Sequence, residues 1–530
     1  MNASATTTSP WSPLKLTTYR WLWLATVVSN IGSWMHETGS GWLITTLTDS
    51  PVVVALLQTA TSLPAFFVLL PSGALSDILD RRRYLMSGNI GMMVVAALTA
   101  LLTLTGTIEA WSLLLLTLFR GIGTAMIMPT WQSIVPEIVP RAQLQAAIGL
   151  NTLGMNVSRV IGSLVAGLII AALGTGMVFV FNALSLSFVI LTLWRWRRVP
   201  PATSLPPEKF TSAVLTGLRY TRNSPALLAT IYRSVGFYFF ASVMWALLPL
   251  IARDLLKGDA STYSYLFAAI SIGAIASAFA IPYLRRYYDN DQLITYASRL
   301  FAVGMSITAL VHVQVIAMLA LCLCGAAWIT VMTSAQMSAQ TALPNWVKSR
   351  GIAVFLTFFM GSLGLGPVVW GSLTHWTTLP TALLTASIGL LIASQITQRW
   401  PVSGNDQLDH TPSQHWRKPQ LQVTIKPDQG PVLVQVRYEV IPECLPQFLR
   451  EIEQLGLGRK RDGAVFWGVF EDMNAPGTYV ESYAVNTWLD RLRQHERISR
   501  QDAQTQARIK ALLREGTEPL VRHFVTPLRS

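Results

Sequence analysis

Long apolar runs, broken by turn residues and arginines, dominate the first 400 residues. A helix that crosses a bilayer needs about 20 mostly apolar residues. Twelve windows meet that length, near 20–46, 52–75, 85–105, 110–134, 143–172, 177–194, 226–251, 263–284, 293–312, 314–334, 351–373 and 378–397. The breaks carry turn chemistry, as in Thr48-Asp49-Ser50-Pro51, Gly174-Thr175-Gly176 and Leu379-Pro380. After Trp400 the pattern changes. Residues 401–430 are polar and rich in Pro and Gln, which marks a linker. Beyond it, Val432–Val440, Ala464–Phe470, Tyr479–Val485 and Leu520–Val525 are predicted strands, and Glu443–Leu455 and Trp488–Leu513 predicted helices. That order, βαββαβ, is the ferredoxin-like pattern.

An internal repeat appears when the two halves are offset by 204 residues. Leu24-Ala25-Thr26 then falls on Leu228-Ala229-Thr230, Arg81-Arg82 on Arg285-Arg286, Gln132 on Gln336, Pro140 on Pro344, Gly162 on Gly366 and Gly167 on Gly371. One constant offset through several helices and loops implies a parallel six-plus-six duplication about an axis normal to the membrane. The expected fold is an all-α polytopic membrane protein of twelve helices in two six-helix repeats, with a small α+β ferredoxin-like C-terminal domain. The expected boundaries are a tail at 1–19, bundles at 20–198 and 225–400, linkers at 199–224 and 401–430, and the last domain at 431–530.

Charge refines this picture. The net charge is +13, but residues 1–400 hold 23 Lys+Arg against 11 Asp+Glu, and the remainder 17 against 16. The basic excess therefore concerns topology and anionic lipid, and nucleic-acid binding is not expected. With the N-terminus inside, sixteen Lys and Arg of the inter-helix breaks fall on the cytoplasmic side, and only Arg253 and Lys257 on the other. The positive-inside rule then puts both termini in the cytoplasm of an inner-membrane protein. No cleaved signal is expected, since residues 1–15 lack the basic, apolar and small-residue regions of one. Cys322, Cys324 and Cys444 form neither a disulfide framework nor a metal set, so no metal or cofactor is expected.

The most specific motif runs from Gly73 to Arg83, GALSDILDRRR, between the second and third helices. It resembles the loop signature of the major facilitator superfamily, Gly-x-Leu-Ala-Asp-Arg-x-Gly-Arg-Arg. Gly73, Leu75, Asp77, Arg81 and Arg82 match, while Ile78 and Asp80 depart. The resemblance implies that Gly73, Asp77, Arg81 and Arg82 form a gate that latches the halves, with the eleventh helix as partner. Residues Ser29 to Met35, Gly217 to Tyr220, Pro249 to Asp254 and Leu492 to Arg497 are similar to the transmembrane secretion effector branch, which includes siderophore exporters and macrolide efflux proteins. Arg120, followed by Gly121 and Gly123, resembles the helix-four arginine linked in the superfamily to proton coupling. Arg159 with Gly162 and Gly167 resembles the helix-five antiporter motif, and Gly366, Pro367 and Gly371 its counterpart in helix eleven. These residues would let helices approach and bend.

Charges inside hydrocarbon cost roughly 2.5 to 3.5 kcal/mol each and usually face a cavity or one another. Glu37, Arg120, Arg159 and Arg233 are such charges and are the coupling candidates. A carboxylate in a desolvated cavity can bind and release a proton near neutral pH, and Glu37 is the lone acid well inside a predicted helix. Its expected neighbours are His36 or Arg159, the alternative being a vestibule carboxylate paired with an arginine. Trp34, Tyr238 and Trp245 are candidates to stack on an amphipathic substrate, with Asn30 and Gln132 as polar contacts.

No Gly-x-x-x-x-Gly-Lys-Ser/Thr motif occurs, so ATP drive is disfavoured. The expectation is a proton-coupled exporter of a small amphipathic molecule, and not an enzyme. The alternatives are a lysophospholipid or lipid translocator and a membrane-tethered enzyme. The tail resembles the antibiotic-biosynthesis monooxygenase type of domain, in which Trp467, Asn474, His495 and Glu496 could be read as a site. It is expected to serve as a noncatalytic regulatory or dimerising module.

Overall fold

A computed structural model describes residues 11–140, 143–196, 217–344, 347–402, 425–426, 428–497, 500–514 and 516–527. Among the described residues of the first 400, twelve helices are long. They are α1 (Thr17–Leu47), α2 (Pro51–Ile78), α3 (Arg81–Leu104), α4 (Ala110–Ile138), α5 (Leu144–Leu173), α6 (Thr175–Arg195), α7 (Pro225–Leu250), α8 (Ala260–Leu284), α9 (Asn290–Leu310), α10 (Gln314–Thr341), α11 (Lys348–Trp376) and α12 (Leu379–Thr397). Eleven are long and apolar enough to cross a membrane. The exception is α1, diluted by Ser29, Asn30, Ser33, His36, Glu37, Thr38 and Ser40. Those polar residues are what a helix lining a functional site requires.

The repeat is visible in the helix boundaries. Helices α4, α5 and α6 begin at 110, 144 and 175, and α10, α11 and α12 at 314, 348 and 379, each 204 residues later. Side-chain caps fix several starts. Asp80 accepts the backbone N–H of Arg83 at 2.9 Å, Asp259 that of Thr262 at 2.9 Å and Asp289 that of Gln292 at 2.8 Å. Asp80, a departure from the superfamily loop, thus serves as the N-cap of α3.

The chain divides into two compact units. In the first, which holds most of the helical bundle, the halves meet at the ends remote from the Arg81–Arg83 loop. A Cβ on Gly167 would lie 2.5 Å from Ser264 Oγ of α8, and one on Gly371 2.6 Å from Ala55 Cβ of α2. Gly167 and Gly371 are repeat equivalents, so α5–α8 and α11–α2 are the same contact made twice. Only a residue without a side chain permits such an approach. Thr59 adds a 2.8 Å hydrogen bond to the Gly364 carbonyl. At the mouth, Arg253 donates to the carbonyls of Thr45 and Thr48 and faces Asp49 at 3.5 Å.

The second unit contains the sheet domain together with residues 208–230 and 337–355. Strands β1 (Val432–Glu439), β2 (Phe466–Glu471), β3 (Thr478–Val485) and β4 (Leu520–Val525) form one antiparallel sheet in the order β2-β3-β1-β4. Helix α13 (Leu445–Arg461) and the pair α14 (Trp488–Arg497) and α15 (Arg500–Lys510) complete the βαββαβ order. Helices α14 and α15 both fall within the single helix read from the sequence, and residues 498–499 between them lie outside the described residues. Alternate residues of β1, Val432, Val434, Val436 and Tyr438, pack against Phe448, Ile452 and Ile509 to make the core. Within this unit the domain grips the helical turn at residues 217–222: Arg219 donates to the Gly463 carbonyl at 3.3 Å, and the Arg461 guanidinium lies 5.8 Å from the Tyr220 ring centroid. Arg461 is itself paired with Asp502 at 2.8 Å and Asp462 at 3.1 Å.

Candidate functional site

Asn30, Trp34 and Glu37 fall at i, i+4 and i+7 of α1, so one face carries an amide, an indole and a carboxylate. Arg120 of α4 donates to Glu37 Oε2 at 2.8 Å and to the Ser33 carbonyl at 3.1 Å. The two side chains keep 12% and 22% of their surface, so the pair is desolvated but reachable. The charge is thus matched by Arg120, not by Arg159 or His36. His36 is buried and turned to α6, sharing a 3.0 Å hydrogen bond with Asn182 and meeting the Phe179 ring edge-on at 4.7 Å.

Arg159 of α5 lies on the other side of Trp34, its guanidinium 5.6 Å from the indole centroid. Its polar partner is Asn156, at 2.8 Å. Gly162, one turn on, would place a Cβ 2.6 Å from the Ile31 carbonyl and 2.8 Å from Trp34 Cβ, so its missing side chain lets α5 sit against α1.

From Trp34 an aromatic ladder crosses into the second repeat. Ring centroids run Trp34–Phe267 5.9 Å, Phe267–Trp245 5.5 Å, Trp245–Trp328 5.3 Å, Trp328–Tyr238 5.0 Å and Tyr238–Phe359 4.4 Å. Trp34 and Trp245 are half-buried, whereas Tyr238 is 1% exposed. Tyr238 is the repeat equivalent of Trp34. The ladder members Phe267, Trp328 and Phe359 are indistinguishable in sequence from ordinary apolar-span residues.

Other sequence-derived residues fall elsewhere. Arg233 is buried at the junction of α7, α9 and α12, paired with Asp291 at 2.8 Å and donating to the Thr397 carbonyl at 3.1 Å. It fastens helix ends and is not brought to the Glu37 face. Arg82 donates to the Leu193 carbonyl at 2.7 Å and to the Trp194 carbonyl, closing the end of α6. Gly73 and Asp77 lie in the last turns of α2, and Gln132 in α4, but their side chains fall outside the described residues. Arg81 begins α3. Gly366 approaches the Phe239 carbonyl and Ser242 of α7, next to Pro367 within α11.

In the sheet domain the buried chemistry is self-contained. Glu481 accepts from Tyr438, Arg459 and Trp467 at 3.0 Å each. Burial opposes the Arg459 charge, but Glu481 with Tyr483 and Tyr438 outweighs it and holds the guanidinium above its ordinary range. Burial, then the Glu481 charge, push the Tyr438 hydroxyl well above its own. Asn474 sits in an exposed turn, and the side chains of His495 and Glu496 fall outside the described residues.

Two six-helix repeats closed on a charged and aromatic inner face define a duplicated twelve-helix membrane carrier. The family model for transmembrane secretion effectors matches residues 8–530, and the chain belongs to that branch of the major facilitator superfamily. It is a multi-pass membrane protein of a transporter family. It is similar to the staphyloferrin A transporter of Staphylococcus aureus, 21% identical over 285 residues that cover 52% of this chain and 69% of the relative. Likewise it is 22% identical to the multidrug efflux pump Tap of Mycolicibacterium fortuitum over 381 residues, 69% of this chain and 93% of that one. Among solved structures, the nucleoside transporter NupG superposes with a TM-score of 0.63 at 13% identity, covering 72% of this chain and 99% of that chain.

Proposed function

We propose that this protein is a secondary active exporter, driven by inward proton flow, that moves a small amphipathic molecule across the plasma membrane by alternating access. The observation that carries the reading is the Glu37–Arg120 pair, a reachable carboxylate held by one cation on the inner face of the bundle. Protonation of that carboxylate cancels the charge that holds Arg120, so proton binding and helix arrangement are linked through one contact. The aromatic ladder beside it offers flat apolar surface to a substrate, and the glycine contacts offer a place to part and re-form. Relatives named for a siderophore and for drugs support an amphipathic cargo. The arginine-rich loops support a topology with both termini in the cytoplasm and with those basic loops against anionic lipid.

The sheet domain is a noncatalytic module. Among the described residues its buried carboxylates are both held by arginine, Glu481 by Arg459 together with Tyr438 and Trp467, and Asp462 by Arg461, which supports a structural role for them. The open face of its sheet carries Phe466, Phe470, Leu520 and Phe524, all about half exposed, and this apolar face supports dimerisation through the domain.

The test is reconstitution in vesicles with an imposed pH gradient, scanning siderophores, macrolides, other amphipathic drugs and lysophospholipids, with an uncoupler as control. Gradient-dependent movement of amphipathic solutes supports the reading. Movement of lysophospholipid alone, or movement indifferent to the uncoupler, overturns it.

A further inference from the structure

Of the three arginines singled out as coupling candidates, two are neutralised among the described residues: Arg120 by Glu37 and Arg233 by Asp291. Arg159 is not. It is 9% exposed, no carboxylate among the described residues lies within ion-pair distance, and its Nε has no protein partner. Its remaining contacts are one amide oxygen and the face of Trp34, neither of which carries charge. A guanidinium presents donors in a planar fork matched to an oxyanion, and here it lies 5.6 Å from the centroid of the half-buried indole that starts the aromatic ladder.

The geometry points to Arg159 as the subsite for an anionic oxygen group of the transported molecule, with Trp34 stacking on the adjacent flat part of that molecule. This rests on the exporter reading and deepens it: the cargo is an amphipathic acid, with one carboxylate or equivalent oxyanion on an aromatic or apolar body. Binding supplies the counter-charge that the fold withholds from Arg159. The anion therefore stabilises the α1–α5 face while bound, and it leaves an uncompensated cation behind when released.

The experiment uses the full chain in inside-out vesicles and aromatic acids, each beside its methyl ester and an amine counterpart, starting with pyrenebutyrate. The acids are expected to accumulate in preference to ester and amine. Arg159→Gln is expected to cut acid transport by about tenfold or more, the size of a lost charge-assisted hydrogen bond, and to leave any residual ester transport intact. Arg159→Lys should restore part of the acid transport. Thermal unfolding without ligand should be unchanged or raised in Arg159→Gln, because no carboxylate loses a partner. Preference for amine or ester, or an Arg159→Gln defect equal for all three charge types, overturns the subsite and assigns Arg159 to coupling. A ligand-free melting temperature lower by several degrees assigns it to structure instead. Movement of no member by the unaltered protein overturns the acidic-cargo subsite, and only if the siderophores, macrolides and other drugs of the wider scan also stay put does the exporter reading fall with it.

Discussion

Glu37→Gln separates coupling from packing because it removes the titratable group and little else. The amide keeps an oxygen for Arg120, whose second contact, the Ser33 carbonyl at 3.1 Å, is untouched. A fully buried charge stranded without its partner costs about 3–5 kcal/mol. With 22% and 12% of their side-chain surface exposed, Glu37 and Arg120 fall below that. What is lost is charge assistance in one 2.8 Å bond, on the order of 1–2 kcal/mol of stability. If Glu37 carries the coupling proton, accumulation against a gradient should fall about tenfold or more while substrate exchange without a pH difference persists. Glu37→Asp, shorter by one methylene, should retain part of the accumulation. The assay is gradient-driven uptake beside exchange in the same vesicles, with thermal unfolding of the purified variants. A Gln variant that still concentrates substrate with the unaltered pH response refutes the assignment. So does equal loss of uptake and exchange with a collapse in stability, which would make the pair structural.

Arg233→Ala removes the ion pair to Asp291 and the donor to the Thr397 carbonyl; with Asp291 20% exposed, the expected cost is about 3 kcal/mol, at the low end for a buried pair, read as a lowered melting temperature with unchanged pH dependence of transport. Asp77→Ala should reduce transport while membrane insertion and expression stay normal; transport at the unaltered rate removes Asp77 from the gate. In the sheet domain, the folded state holds the Tyr438 proton more tightly than the unfolded chain does. Its stabilising contribution is thus complete below about pH 10 and is lost as pH rises above that. Tyr438→Phe should cost about 1–2 kcal/mol at neutral pH and flatten that alkaline loss, measured by hydrogen exchange in Val432–Glu439.

Length and hydropathy made the twelve helices legible, since each apolar run is bounded by turn residues and nothing else explains 20 such residues in a row. The repeat offset was equally legible, and it predicts helix starts to the residue at 314, 348 and 379. Pairings were not. Glu37 has two arginines within the same half, and only the rotation of α4 and α5 around α1 decides that Arg120 and not Arg159 meets it. Arg233 looked like a buried functional charge because Asp291 is 58 residues away and sits in a helix-start position that reads as a cap. Arg253 read as a stray outer cation. The offset held a clue: 253 minus 204 is 49, so Arg253 and Asp49 are repeat equivalents, and equivalent residues that touch must lie near the axis relating the halves.

The same offset separates the work of the two repeats. Glu37, Arg120 and Arg159 map onto Ala241, Cys324 and Leu363, which are buried and apolar. His36 and Asn182 map onto Phe240 and Ala386. Each of these polar groups of the first repeat is thus replaced in the second by a group that can only pack, whereas the aromatic position is kept, Trp34 becoming Tyr238. On the exporter proposed above, a duplicated scaffold needs charge in one half only, because a proton-linked contact would have to change in one place while both halves share the surface on which cargo rests. The second repeat gives its polar positions to fastening, through Arg233 at the helix ends and Arg253 at the mouth. This asymmetry puts the charged groups on α1, α4 and α5, and leaves α7, α8 and α10 to supply most of the aromatic wall.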